Sequence, residues 1–398
     1  MTPSPNHSTH ASKPAKLRLA LSILCENPQR KTGLTTLFHE LVSRSLKLDE
    51  KLEWIVFAGR TQEWTVESPR VSVVRRYPAN DHLIPRLWAD HFRVPGEARR
   101  RGADALLTVG FVPLQRAGLP VVLHLFSLQH LDRTNRTGLA RRVYRLAIMN
   151  WSIRQAQAIV TNSKFAAGQI LHTYPTAAGR LVISSEGLQH EQFNPAGDPE
   201  EAARLAQRYG LAPGCVLWVS NFYPYKQAPL LLEAYARLEA SLRARHPLVM
   251  VGGNWQGGRD DAQARCAALG ITGDVRFLGW VDDADLAPLY RQARAVVLSS
   301  REETFGRCVI ESMACGTPCV VNDIPAMREV TGGHAVLVDF NDAAVASAGL
   351  ASLLKEDDLH VSLSAAGKTW TEQYSFERLT TERLTAIRAM LGRMAPRG

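Results

Sequence analysis

The strongest constraint on the fold is a repeated pattern: short apolar runs, each followed by a turn and then by a segment with helical spacing. In the first half the runs fall at residues 17–25, 54–58, 71–74, 105–109, 121–124, 158–161 and 181–184. Runs this short and this uniformly apolar read as strands buried on both faces, as parallel sheets require. A second series follows at 216–219, 248–251, 275–278, 295–298 and 319–321. Strands alternating with helices predict an α/β class with mostly parallel sheets, and two series predict two such layers.

A chain of 398 residues is also too long for one ordinary core. The boundaries expected are a disordered tail at 1–16, a first domain at 17–195, a linker at 196–213, a second domain at 214–375 and a C-terminal helix at 376–398. That helix is expected to pack back on the first domain. The tail is dominated by Ser, Pro, His and Lys and has no apolar signal core, so a cytoplasmic protein is expected. No window approaches the roughly 18 consecutive apolar residues of a membrane span. Six cysteines, at Cys25, Cys215, Cys266, Cys308, Cys315 and Cys319, lack Cys-x-x-Cys or Cys/His metal spacing and read as buried thiols.

The net charge of +9 is rich in arginine, with Arg99, Arg100 and Arg101 in one run and Arg136, Arg141, Arg142, Arg145 and Arg154 in another region. Such a surface suits nucleic acid, anionic lipid or phosphorylated ligands alike. Residues 139–158 have the spacing of an amphipathic helix, with Leu139, Val143, Leu146, Met149 or Trp151, and Ile153 on or near one side and arginines over much of the other.

Chemistry concentrates in residues 299–321, which read as the end of a strand, a polar turn, a helix and the next strand. Glu303 and Glu311 have seven residues between them. On an isolated helix that spacing means little, because carboxylates about two turns apart are common on solvated faces. Here Glu303 precedes the helix, and Thr304, Phe305, Gly306 and Arg307 offer backbone N–H groups and a positive dipole end where a diphosphate could sit. Glu311 follows on the helix, placed to accept hydrogen bonds from a vicinal diol such as a ribose. Lys226, at the end of Asn221-Phe-Tyr-Pro-Tyr-Lys226, read alone is a solvated lysine at a helix start. His124 closes an apolar strand, where a lone histidine is more often structural.

The segment Glu303-Thr-Phe-Gly-Arg-Cys-Val-Ile-Glu311-Ser-Met-Ala-Cys-Gly-Thr-Pro resembles the Glu-x7-Glu motif of glycosyltransferase family four. That family is a retaining group of the GT-B architecture, two Rossmann-like α/β domains facing across a cleft. The resemblance extends over most of the chain, and residues 275–279 with Asp282, Asp283, Leu286 and Tyr290 look like the family's nucleobase-side strand and loop. It implies that Glu303 holds sugar hydroxyls and Glu311 the ribose, and that Lys226 meets the donor diphosphate. It further implies that His124 stands near the sugar and that Gly33 lets the first helix approach the donor phosphate. The sequence departs from the family at Ser220-Asn221, where Gly-Arg is usual, at Leu125, where an acid is usual, and at Thr32, where a second glycine is usual.

No Gly-x-x-x-x-Gly-Lys loop, Gly-x-Gly-x-x-Gly after the first strand, His-Glu-x-x-His or Gly-x-Ser-x-Gly elbow is present. The Asp283-Ala284-Asp285 triplet reads as a solvated loop or helix start. A metal-independent enzyme with no cofactor is therefore expected. It would transfer a sugar from a nucleotide sugar to a carbohydrate or lipid-linked acceptor in surface polysaccharide or glycolipid assembly. Glu303, His124 and Lys226 would serve as catalytic residues, and Gly33, Asn221, Lys226, Glu303, Thr304, Phe305, Gly306, Arg307 and Glu311 would bind the donor.

The arginine-rich helix suggests peripheral contact with anionic lipid at the inner membrane face. A non-catalytic nucleotide-sugar binder or a same-fold epimerase stays open as an alternative. A nucleic-acid-binding protein is disfavoured, because the basic residues lack interleaved aromatic platforms.

Overall fold

The computed structural model describes residues 16–26, 33–78, 80–115, 117–128, 139–255 and 257–394, without the side chains of 139–142. The tail before Lys16, Arg136 and the side chains of Arg141 and Arg142 lie outside the described residues. The chain divides into two compact units, one within residues 1–124, 148–158 and 384–398 and the other within 125–147 and 159–383.

The first sheet is built from β1 (Leu17–Ser22), β2 (Leu52–Gly59), β3 (Val71–Tyr77), β4 (Ala105–Val109), β5 (Val121–His124), β6 (Ala158–Thr161) and β7 (Leu181–Ile183), in the order β3-β2-β1-β4-β5-β6-β7. Helices α1 (Gly33–Leu48), α2 (Leu83–Phe92), α3 (Val94–Arg100), α4 (Leu139–Gln155) and α5 (Lys164–Thr173) alternate with these strands. Then α6 (Glu201–Tyr209) leads to β8 (Val216–Val219), α7 (Ala228–Ala236), α8 (Ala240–Arg245), β9 (Leu248–Val251), α9 (Gly258–Ala268) and β10 (Val275–Gly279). The chain continues through α10 (Asp283–Gln292), β11 (Ala295–Leu298), α11 (Arg307–Ala314), β12 (Cys319–Asn322), α12 (Pro325–Thr331) and β13 (Val336–Val338). It ends in α13 (Ala343–Lys355), α14 (Asp357–Thr371) and α15 (Phe376–Met394).

The second sheet is parallel throughout, in the order β10-β9-β8-β11-β12-β13. Its strands alternate their side chains between two buried faces. Leu217, Val249, Val296, Leu298 and Val321 pack with Tyr290, Ile310 and Met327 from α10, α11 and α12. Their neighbours Val216, Trp218, Met250, Val297 and Val320 pack with Leu231, Cys266 and Leu350 from α7, α9 and α13. Burial on both faces is why each strand reads as an unbroken apolar run. β13 has only three residues at the sheet edge, too short to stand out as such a run.

Two sequence expectations change. The segment 196–213, expected as a linker, carries α6, which lies on α10: Arg291 Nε donates to Glu201 Oε2 at 2.8 Å. Asp283 and Asp285 lie in the first turn of α10, the helix start expected for that triplet, but Asp285 is not solvated. That residue is buried, where Arg208 Nη1 and the Tyr209 hydroxyl both donate to Oδ2 at 2.8 Å. On α4, Met149 and Ile153 are buried as their spacing implies, together with Ile148 and Ser152. Val143 and Leu146 are exposed. At the C-terminus, Arg388 of α15 pairs with Asp49, just past α1, within the first unit.

Candidate active site

In the second sheet β8 and β11 are neighbours, and chain order runs outward from them in both directions. At such a switch point the loops leaving the carboxyl ends of the two strands turn to opposite faces and open a crevice. The loop after β8 carries Asn221 and Lys226, and the loop after β11 carries Glu303 to Gly306.

Backbone and side-chain hydrogen bonds clip the two loops together. Arg301 N donates to Tyr225 O, and Ser299 Oγ donates to Lys226 O, each at 2.8 Å. Held there, Lys226 Nζ forms an ion pair with Glu303 Oε1, and both side chains are mostly buried. Burial works against the Lys226 ammonium, but the Glu303 carboxylate and the Tyr225 hydroxyl more than offset it, so its pKa stands above the ordinary lysine value. The ammonium also lies 5.3 Å from the Tyr225 ring centroid. The result is a fixed cation beside a fixed carboxylate.

Next to this pair begins α11. Gly306 enters it at φ +83°, a conformation that favours glycine, and a Cβ there would stand 2.6 Å from Met327 Cε, which would have to shift. Phe305 is buried edge-on against Tyr374, centroids 5.4 Å apart, which anchors the turn. The first amides of the helix have no partner within it and make a positive end for an anion. Thr304 Oγ1 accepts from Asn162 Nδ2 at 3.5 Å, and the same amide donates to Glu186 Oε1 at 2.9 Å.

One turn along α11, Glu311 is buried and takes hydrogen bonds from Arg307 Nε at 2.7 Å and the Tyr290 hydroxyl at 3.0 Å. Burial raises the Glu311 pKa, and Arg307 and Tyr290 act in the opposite direction. Arg307, named among the donor-binding residues, has its guanidinium engaged by Glu311 and 5.8 Å from the Phe376 ring centroid. Its backbone amide remains at the helix start.

Asn221, at the position where the family has an arginine, braces the backbone: its Oδ1 accepts from Gly253 N at 3.0 Å. The neighbouring Gly252, at φ +141°, lies so close that a Cβ would come within 1.8 Å of Ser220 O. Gly33 and His124 belong to the first unit. Gly33 opens α1, and His124 is buried with its ring edge-on to Phe38, centroids 5.2 Å apart.

A cavity of about 420 Å3 in the second unit is lined by Ser127, Phe165, Gln169, Glu303, Thr304 and Pro325, among others. That size is within the roughly 300–1,000 Å3 of small-ligand sites. The sequence reading missed Asn162 and Glu186 as site residues. Asn162 closes the apolar run 158–161, and a polar side chain at the carboxyl end of a parallel strand was the available signal. Among the described residues, no three His, Cys, Asp or Glu side chains gather as a metal site.

Two Rossmann-like α/β domains, the second bearing an acid–lysine pair at its switch point, define the GT-B class of sugar transferases. Comparison with known proteins is specific. Residues 209–370 match the model of glycosyl transferases group 1, and residues 32–192 match that of glycosyltransferase family 4. The chain is 31% identical over 241 residues to the O-antigen chain mannosyltransferase B of Escherichia coli, covering 60% of this chain and 62% of that protein.

It is 30% identical over 297 residues to a D-inositol 3-phosphate glycosyltransferase of Actinosynnema mirum, covering 70% and 68%. Across four other alignments to curated relatives, the mannosyltransferase included, the chain spans 55 to 63% of their length. A solved structure of Anabaena HepE in complex with UDP-glucose superposes with a TM-score of 0.70 at 16% identity, over 94% of this chain and all of that one. The chain belongs to the group 1 glycosyltransferases of family four.

Proposed function

We propose that this chain transfers a sugar from a nucleotide diphosphate sugar to an acceptor hydroxyl with retention of anomeric configuration. The acceptor is a carbohydrate or lipid-linked glycan of cell-surface polysaccharide or glycolipid assembly. The observation that carries this reading is the Lys226–Glu303 pair beside the start of α11. Lys226 and the amides of Phe305, Gly306 and Arg307 offset the charge that develops on the departing diphosphate. Glu303 accepts hydrogen bonds from sugar hydroxyls, and Glu311 from the ribose.

In the proposed reaction the bond from the anomeric carbon to the diphosphate oxygen breaks, and a bond to the acceptor oxygen forms on the same face. The acceptor proton passes to the departing phosphate oxygen. His124 is proposed as a further catalytic residue and Gly33 as a further donor-binding residue. Transfer is proposed to be independent of metal and cofactor. The mannosyltransferase likeness supports a polysaccharide acceptor, and the HepE complex supports a nucleotide-sugar donor.

No helix among the described residues is long and apolar enough to cross a membrane. Any association with the inner membrane face is therefore proposed as peripheral. A thermal-shift panel of uridine, guanosine, adenosine and thymidine diphosphate sugars tests the donor, since a ligand binding only the folded state must raise its stability. Transfer lost in both Glu303→Ala and Lys226→Ala separates an enzyme from a passive binder; unchanged turnover would remove these site assignments.

A further inference from the structure

Helix α2 is built inside out. Its inward face holds Arg86, Ala89, Asp90 and His91, all buried, with Arg86 Nη1 3.2 Å from Asp90 Oδ2 and Ser22 Oγ donating to Asp90 Oδ1 at 2.6 Å. Its outward face shows Ile84, Trp88 and Phe92, which are 79, 53 and 43% exposed, with Leu83 beside them at 39%. These three recur every four residues and so form one stripe. An ordinary surface helix turns its apolar stripe to the core and its charges to water. Here an ion pair occupies the core side and three large apolar side chains occupy the solvent side.

The stripe lies within a basic stretch of chain, and Arg76 and Arg93 stand beside it. Residues 75–101 contain seven arginines against three acids, and Asp90 and Glu97, two of those acids, are buried in ion pairs. The Arg93 guanidinium lies 5.2 Å from the Trp88 ring centroid, and Arg75, Arg93, Arg99 and Arg100 are exposed. A hollow of about 610 Å3 beside the stripe is lined by Arg76, Tyr77, Pro78, Ile84, Trp88 and Arg93.

From this juxtaposition we infer that α2 docks on an anionic bilayer surface, with Ile84, Trp88 and Phe92 in the headgroup–acyl boundary and the adjacent Arg93 on lipid phosphates. Apolar side chains dipping beneath neighbouring cations are the chemistry of an interfacial helix. A tryptophan with a guanidinium on its face fits that boundary, where one side is apolar and the other wet. The inference deepens the membrane contact proposed above and moves it from the arginines of α4 to α2. It does not depend on which sugar is transferred.

The test is flotation of the full chain with vesicles of pure phosphatidylcholine and with vesicles containing about one third phosphatidylglycerol. The wild type should float with the anionic vesicles at low salt and be released as salt screens the arginines. Ile84→Ser combined with Trp88→Ser should lower the floated fraction about tenfold. Both side chains lie outside the core, so the thermal midpoint and transfer to a soluble acceptor should be unchanged. Absence of flotation by the wild type, or equal flotation by the double variant, would overturn the inference. So would light scattering that shows a wild-type dimer becoming a monomer in the double variant, which would make the stripe a contact between copies. If transfer to a soluble acceptor is missing in the wild type, the enzymatic reading fails while flotation still reports on α2.

Discussion

Lys226 and Glu303 stand 77 positions apart in the chain and meet as an ion pair at the switch point of the second sheet. Their assigned roles differ, so their substitutions should be separable. Lys226→Ala should weaken both the free nucleoside diphosphate and its sugar conjugate, because the ammonium is proposed to meet the diphosphate. Glu303→Ala should weaken only the conjugate, because the carboxylate is proposed to meet the sugar. Turnover should fall about 10²–10³-fold in each. Calorimetric titration of both ligands into both variants checks the pattern; equal losses for both ligands in Glu303→Ala would contradict the assignment.

The Glu311 carboxylate depends on two donors, and removing one leaves a buried acceptor short. Tyr290→Phe deletes the hydroxyl that donates to Oε2 at 3.0 Å without changing the ring that packs in the core. It should cost about 1–3 kcal/mol in urea unfolding. The loosened carboxylate should also raise the Kd of ribonucleotides more than that of inorganic pyrophosphate. Fluorescence-monitored unfolding and competition binding measure the two effects.

The sheet cores were the most legible part of the chain. The runs at 105–109, 121–124, 158–161, 216–219, 248–251 and 295–298 coincide with β4, β5, β6, β8, β9 and β11, because strands buried on both faces have no polar positions to blur their ends. What escaped depends on partners far along the chain. Asp285 looks solvated until Arg208 and Tyr209 of α6 close over it. Asn162 reaches Thr304 across 142 positions, a relation that no local spacing encodes. The stripe on α2 has core periodicity but faces solvent, since Arg86 and Asp90 occupy its inward side.

Gly306→Ala tests the entry to α11 directly. A side chain at φ +83° costs on the order of 1–3 kcal/mol, and its Cβ would force Met327 Cε away from 2.6 Å. The strained φ and the contact together bear on the turn carrying Phe305 and the first amides of the helix. Donor affinity should therefore fall by about tenfold or more while the second domain remains folded. Near-ultraviolet circular dichroism with donor titration distinguishes this from general unfolding. Gly306→Ala combined with Met327→Ala should recover part of the loss, because the steric share of the cost is removed.

His91, on the buried side of α2, should make stability depend on pH in a defined direction. Burial, aided by the positive Arg86, lowers its pKa to about 4, against an ordinary value of 6.5. Between those two values the unfolded chain binds a proton that the folded chain does not, so the neutral ring stabilises the fold above pH 6.5 and that contribution is lost as pH falls toward 4. Leu114 N donates to His91 Nδ1 at 3.3 Å, a contact that an asparagine oxygen can replace. Urea midpoints compared at about pH 7.5 and about pH 5 should drop for the wild type. The drop should shrink in His91→Asn, whose side chain does not titrate there. An unchanged drop would place the acid sensitivity at another group.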